Sequence, residues 1–283
     1  MRPTNYHTHS RFCDGVGEPA EYAEAAVSKG FAALGFSSHA PLPFESDWTM
    51  KPADLPRYAA EIRSLAERYR GTLEIYLGLE IDYIPGVMGP SDERFAKAGL
   101  EYTIGSVHMI RDDRSGRYLA IDGPVEEYEE IIRNVFAGDA RAFAERYFAL
   151  MSEMVTLHRP DIIGHLDVLM KNNIGRRFFS GTESWYLDAA CGTLEAIRAS
   201  GAVLEVNSGG LARKRTDFLY PSLPLLTVAR ELEIPAMLNA DAHDPAHVDA
   251  FYDRGYALLA AAGYREVRVL LAGTWRDVPL ENI

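Results

Sequence analysis

A chain of 283 residues, 47% hydrophobic, is long enough to bury a large core, and its formal net charge is -12. That acidity, with a pI near 5.2, argues against a nucleic-acid backbone as the main partner, which usually calls for a basic face. Cys13 and Cys191 are too few for a disulfide framework, no apolar run is long enough for a membrane span, and the first residues lack the apolar core of a leader, so a cytoplasmic protein without membrane contact is expected.

Residues 5–10 read as a short strand, in which side chains two apart share a face, so His7 and His9 can present two imidazoles to one point. A helix follows over 19–28, with Gly30 beyond its end. Residues 33–39 read as a buried strand ending at His39, and a Pro-rich loop at 40–50, holding Trp48, leads to a helix over 52–69. The apolar strand 73–79 delivers Glu80, after which 81–90 reads as a hairpin or loop excursion. Strand 102–107 delivers His108 and is followed by a polar turn at 111–116. Helices are predicted over 125–136 and 140–157, then a short strand that ends at His165. Beyond a mixed linker come a helix over 185–200, a strand over 203–206 that ends at Asn207, and a helix over 223–232. Strand 234–238 leads to Asp241 and His243, and a helix over 248–262 and a strand over 266–271 close the series.

Strands and helices alternate about eight times, the pattern of a parallel sheet covered by helices. No break in composition marks a linker, so one domain over 1–283 is expected. The polar candidates fall at the C-terminal ends of successive strands, where a closed or nearly closed (β/α) barrel gathers them better than an open doubly wound sheet.

These candidates are His7, His9, Asp14, His39, Glu80, His108, His165, Asp241 and His243, which take six of the eight histidines in the chain. A single histidine at a strand end is more often structural. Six of them with interleaved carboxylates would each need a buried hydrogen-bond partner in one small volume, so a metal centre is the better reading. Nine ligands exceed one ion's needs and divide among two or three divalent ions, with Glu80 the best bridge. Mixed imidazole and carboxylate sites accept Zn, Fe, Mn or Co. A hydroxide held between two ions suits in-line attack on a phosphate ester, though amide hydrolysis is equally compatible with the spacing.

The motifs His7-Thr8-His9, Ser37-Ser38-His39, Gly78-Leu79-Glu80, Gly105-Ser106-Val107-His108, Gly164-His165-Leu166-Asp167, Glu205-Val206-Asn207 and Asp241-Ala242-His243 resemble the polymerase-and-histidinol-phosphatase (PHP) family, in order along most of the chain. The whole chain is similar to its histidinol-phosphatase branch. The resemblance implies a distorted (β/α)7 barrel with a trinuclear metal centre at the C-terminal strand ends, leaving strand 266–271 outside the ring or at its edge. It assigns His7, His9, Glu80 and Asp241 to one ion, Glu80, His108 and His165 to its neighbour, and His39 and His243 to the third, with Asp14 beside them. Cys13-Asp14-Gly15 departs from members with a histidine there and implies a more oxygen-rich third site. Asn239-Ala240 stands where relatives often have Gly-Ser before the aspartate.

The implied activity is hydrolysis of L-histidinol phosphate to L-histidinol and inorganic phosphate, in histidine biosynthesis, with catalytic roles for Glu80, Asp241 and His243. A phosphoesterase for another small phosphate, such as a nucleotide or sugar phosphate, is the second reading, favoured if the pocket lacks an acidic wall for a cation. A non-enzymatic metal-holding module is a third, and the complete ligand motifs argue against it. For the phosphate, Arg213 is the first candidate, with Arg215 one register on and Arg159 a third. For the ammonium and imidazole of histidinol, Asp82, Tyr83, Trp48 and Glu45 follow the right strands. Phe178-Phe179 are core or the contacts of a homo-oligomer.

Overall fold

The protein is described by a computed structural model covering residues 2–282. Its strands, in chain order, are β1 (Thr4–Asn5), β2 (Ala33–Phe36), β3 (Glu74–Asp82), β4 (Tyr102–Ser106), β5 (Met109–Arg111) and β6 (Tyr118–Ala120). They continue with β7 (Ile162–Ile163), β8 (Val203–Asn207), β9 (Ala236–Asn239), β10 (Glu266–Leu271) and β11 (Thr274–Pro279). Seven of them form one sheet in the order β1-β2-β3-β4-β7-β8-β9, and every neighbouring pair is parallel. The two ends meet through a parallel bridge between Thr8 and Ala242. There the His9 amide donates to the Ala242 carbonyl at 2.9 Å and the Ala242 amide to that of His7 at 3.1 Å. The result is a seven-stranded barrel, as the resemblance implied, and β10 and β11 make a separate antiparallel pair outside the ring.

Parallel neighbours need crossovers, and amphipathic helices supply them. In Leu55–Arg68, Tyr58, Ala59, Ile62 and Leu65 are buried at the spacing of one helix face while the charged residues face out. Pro19–Ser28 opens with proline in its first turn and a reciprocal Glu18–Glu21 capping box. Ala140–His158 and Ser184–Ser200 pack along each other, and Leu223–Glu231 and Tyr252–Ala261 complete the outer layer. Among the described residues, no helix is long and apolar enough to cross a membrane.

Several boundaries differ from the sequence reading. The strand expected over 5–10 shrinks to β1, because side chains replace the ladder: the amides of Tyr6 and His7 donate to Asn239 Oδ1 and Asn5 Oδ1 at 2.8 and 3.1 Å. The strand at 73–79 runs on to Asp82, so Glu80 sits inside β3 rather than at its tip. The polar turn at 111–116 is the tip of the β5–β6 hairpin. The helix over 125–136 becomes a π-helical turn at Ile131–Val135. The helix over 248–262 starts only at Tyr252, since Phe251 has a left-handed φ of 59°.

Below the strand tips the barrel is plugged by Tyr102. Its hydroxyl donates to the Tyr6 carbonyl at 2.6 Å, and its ring lies over Gly35 and Gly78. A Cβ at Gly78 would stand 2.4 Å from that ring, so β2 and β3 have no side chain there.

Candidate metal centre

All nine sequence-predicted ligands meet at the C-terminal mouth of the barrel. Glu80, fully buried on β3, divides its two oxygens between two groups of imidazoles. Oε2 lies 3.2 Å from His7 Nε2, 3.5 Å from His9 Nε2 and 3.0 Å from His39 Nδ1. Oε1 lies 3.1 Å from His165 Nε2 and 3.4 Å from His108 Nε2, and accepts from Ser106 Oγ at 2.6 Å. Asp241 follows β9 on a left-handed backbone, φ 47°, with Oδ1 3.2 Å from His9 Nε2 and 3.4 Å from His243 Nδ1. Asp14 reaches His243 Nε2 at 3.2 Å and His39 Nε2 at 3.7 Å.

Three sets have ligand atoms close enough to share an ion: His9, Asp14, His39 and His243; His7, His9 and Asp241; and His39, Glu80 and His108. This grouping differs from the implied partition in placing His9 with Asp14 and His243, and His39 also with Glu80. The donor chemistry fits divalent cations. His7 Nε2, His9 Nε2, His39 Nδ1 and Glu80 Oε2 are buried without a hydrogen-bond partner, a cost of about 1–3 kcal/mol each unless a ligand takes them.

The outward-facing ring atoms are held by carboxylates. His7 Nδ1 lies 2.9 Å from Glu205 Oε2, and Glu205 also accepts from the His165 amide, Asn207 Nδ2 and Asn239 Nδ2 at 2.8, 2.7 and 2.9 Å. Asn239, the departure before Asp241, thereby ties Glu205 to β1. His108 Nδ1 lies 2.9 Å from Asp82 Oδ1. Such contacts fix the ring orientation and leave the other nitrogen for a metal.

Burial opposes charge on Glu80, yet His7, His39 and His108 outweigh it and hold the carboxyl well below its usual range. Burial likewise raises Asp241, but Arg213 and His7 prevail and keep it ionised. His243 is lowered by burial and by the Arg213 guanidinium. Arg213 Nη1 stands 2.6 Å from its Nδ1 and 2.9 Å from its Nε2, so the guanidinium lies against the ring and disfavours its charged form.

The ligands open into a cavity of about 530 Å³. Arg213, bonded to Asp241 at 3.0 Å, and the exposed Arg215 line it. Trp48 stands edge-on to His39 and His108 at ring distances of 4.7 and 5.7 Å, and Glu45 lies on the same wall. Two substrate candidates are corrected. Asp82 is buried behind His108 and orients it, because its place two residues after Glu80 on β3 turns it inward. Arg159 ends the helix Ala140–His158 just before β7, exposed at the opposite end of the barrel from the site. Phe179 is buried against Tyr186, and Phe178 packs on the same core, so this pair is core on the described residues.

Other residues escaped the sequence reading. Asp47, Asp122 and Glu127 add carboxylates to the cavity wall, and Lys171 pairs with Asp122 at 3.1 Å. Phe44 and Tyr118 stack at 4.7 Å across its rim, a contact between a loop and the β5–β6 hairpin, far apart in the chain, that no local pattern signals. Glu205 was within reach: it lies two residues before Asn207 on β8, on the same face.

Residues 5–209 match the family model of the PHP domain. The chain is 31% identical to the histidinol-phosphatase of Bacillus subtilis over 268 residues, covering 89% of this chain and 98% of that one. It is 33% identical to a "Probable histidinol-phosphatase" of Deinococcus radiodurans, with 86% of each covered. In fold it resembles the crystal structure of histidinol phosphate phosphatase from Lactococcus lactis complexed with Zn, L-histidinol and phosphate. There the TM-score is 0.67 at 20% identity, over 97% of this chain and 99% of that one.

Proposed function

The chain belongs to the PHP domain family, and from that premise we propose that it is a metal-dependent phosphomonoesterase hydrolysing L-histidinol phosphate to L-histidinol and inorganic phosphate. The observation that carries the substrate is the polarity of the cavity. Glu45, Asp47, Asp122 and Glu127 stand with Phe44, Trp48 and Tyr118, while Arg213, Arg215 and Lys171 supply the cations. A phosphate ester whose alcohol carries an ammonium and an imidazole matches both signs and the aromatic surface. A nucleotide or sugar phosphate would leave the carboxylates facing a neutral group.

His7, His9, Asp14, His39, Glu80, His108, His165, Asp241 and His243 would hold divalent ions, and three sets of ligand atoms support a trinuclear centre. Bound there, such ions supply Lewis-acid neutralisation of phosphate charge and lower the pKa of water. The chain's own part is positioning. Glu80 aims one oxygen at each imidazole group, and Glu205 and Asp82 lock His7 and His108 from behind. Arg213 presents a planar fork to a phosphate oxygen. Arg213 favours the ionised form of Asp241 and disfavours the charged form of His243, which makes water the proton source for the leaving oxygen in this reading. The place in histidine biosynthesis follows from this substrate, and a cytoplasmic setting goes with it.

The test is phosphate release by purified, metal-analysed protein with L-histidinol phosphate and a panel of nucleotide and sugar phosphates. A kcat/KM for histidinol phosphate about a hundredfold above the panel is expected. A flat profile would leave a phosphoesterase of wider substrate range and remove the histidine-pathway assignment.

A further inference from the structure

Beside the metal cavity runs a second groove of about 780 Å³, between residues 167–182, the loop at 214–219, the start of the helix Leu223–Glu231 and one face of Tyr252–Ala261. Its charge runs against the acidity of the chain. Arg176, Lys214, Arg215 and Arg254 line it, and among the described residues none of them lies within 4.0 Å of a carboxylate oxygen. Arg254 donates to a backbone oxygen, that of Asp217, at 3.2 Å, and lies 5.9 Å over the Phe251 ring. In a chain of net charge -12, like-signed groups left unpaired in one groove repel each other at a cost that an anion would remove.

Two further observations point to a ligand. Arg176 and Lys214 both sit on left-handed backbones, φ 57° and 56°, a conformation that a residue with a Cβ rarely adopts. At the floor, Tyr186 is 1% exposed and its hydroxyl has no hydrogen-bond partner, a buried donor available to the groove. The groove also carries Asp167 and Asp217 and several hydroxyls, which the cations outnumber, and its apolar part is Phe218, Leu219 and Pro224, with Ile174 and Leu223 left 69% and 42% exposed. Separated cations around an apolar slot match an organic polyanion with a flat apolar body better than a bare inorganic anion.

We propose that this groove is a second anion site, separate from the metal centre, that takes a nucleoside di- or triphosphate. It communicates with the metal cavity because Lys171 and Arg215 line both, and Lys171 is held by Asp122 on the far side. A polyphosphate that draws Arg215 and Lys171 toward the groove changes the charge facing the substrate phosphate, and by linkage the substrate changes nucleotide affinity by the same factor.

The experiment is calorimetric titration of ADP into the metal-loaded enzyme, with pyrophosphate as the second probe. The proteins are wild type, the triple variant Arg176→Glu, Lys214→Glu, Arg254→Glu and the milder pair Lys214→Ala, Arg254→Ala. All the altered side chains are exposed, so the variants should fold, and an unchanged Tm checks it. Expected are saturable ADP binding to wild type that weakens with salt, at least about tenfold weaker binding to the triple variant, and an intermediate value for the pair. Any ADP effect on turnover should level off at saturation, whereas competition at the metal centre would raise KM without limit. Equal ADP binding by wild type and both variants, or none to wild type, overturns the proposal. Pyrophosphate binding as tight as ADP overturns the apolar part of it. Because the triple variant leaves the metal centre intact, ADP held or hydrolysed there gives the same heat in both proteins, and the difference between them reads the groove whichever phosphate ester the metal centre hydrolyses.

Discussion

Glu80 is the side chain on which the candidate centre turns. It is completely buried, and five imidazole nitrogens stand within 3.5 Å of its two oxygens. Glu80→Ala should lower kcat/KM for histidinol phosphate by about a thousandfold or more and reduce the bound metal, read by phosphate release and elemental analysis together. Full metal content with unchanged activity would remove its bridging role. Asp167 offers a test of another kind. Burial raises its carboxyl to about 6, above the roughly 3.9 of an unfolded chain. A raised acid means the folded state binds the proton more tightly, so this stability is fully present below about pH 3.9 and is lost as pH rises through 6. Asp167→Asn fixes the neutral form. It should be more stable than wild type by about 2–3 kcal/mol at pH 8, with little difference at pH 4, in denaturant unfolding of the metal-loaded protein. Equal stabilities at both pH values would show that Asp167 is solvated in the native state.

At the scale of elements, every strand of the ring except β8 both frames the barrel and places ligands, and this decides what was legible beforehand. Histidines after apolar runs, as at His39, His108 and His165, mark strand exits in the sequence itself, so the ring and most of the ligands were readable. Asp82 was not, because its role depends on β3 running past Glu80, and a hydrophobicity pattern does not show where a polar-tipped strand stops. The cavity wall was harder still. Phe44 meets Tyr118 only because the loop after β2 folds over the β5–β6 hairpin, a contact set by tertiary structure alone. The strand pairing itself can be tested at Gly78, over which the Tyr102 ring lies. Gly78→Ala should cost about 1–3 kcal/mol by overpacking, lowering Tm by several degrees. The loss should shrink when Tyr102→Leu is added. A Tm unchanged in Gly78→Ala alone would mean that the ring has room to move.

For the whole molecule, the centre concentrates buried charge that the fold must tolerate. Glu80, Glu205 and Asp241 are all held ionised inside the barrel mouth, each against the effect of burial. Ions that bind only the folded chain stabilise it in proportion to the logarithm of their concentration over Kd. Stripping them with a chelator should therefore lower Tm by about 5 °C or more, and restoring one divalent ion should recover it. An unchanged Tm would show that the imidazoles and carboxylates satisfy one another without ions.

The bridge between Thr8 and Ala242 closes the ring by joining segments from opposite ends of the sequence, and it brings His7 and His9 to Asp241 and His243. During synthesis the first pair leaves the ribosome long before the second exists. A nascent chain lacking Asp241 and His243 can neither seal its barrel nor complete the two ligand sets that include them, so those two sets form only in the late event that completes the fold. A message cut short upstream of Asp241 would yield an open, metal-poor chain with an unpaired strand edge, a product for proteolysis rather than a weaker enzyme.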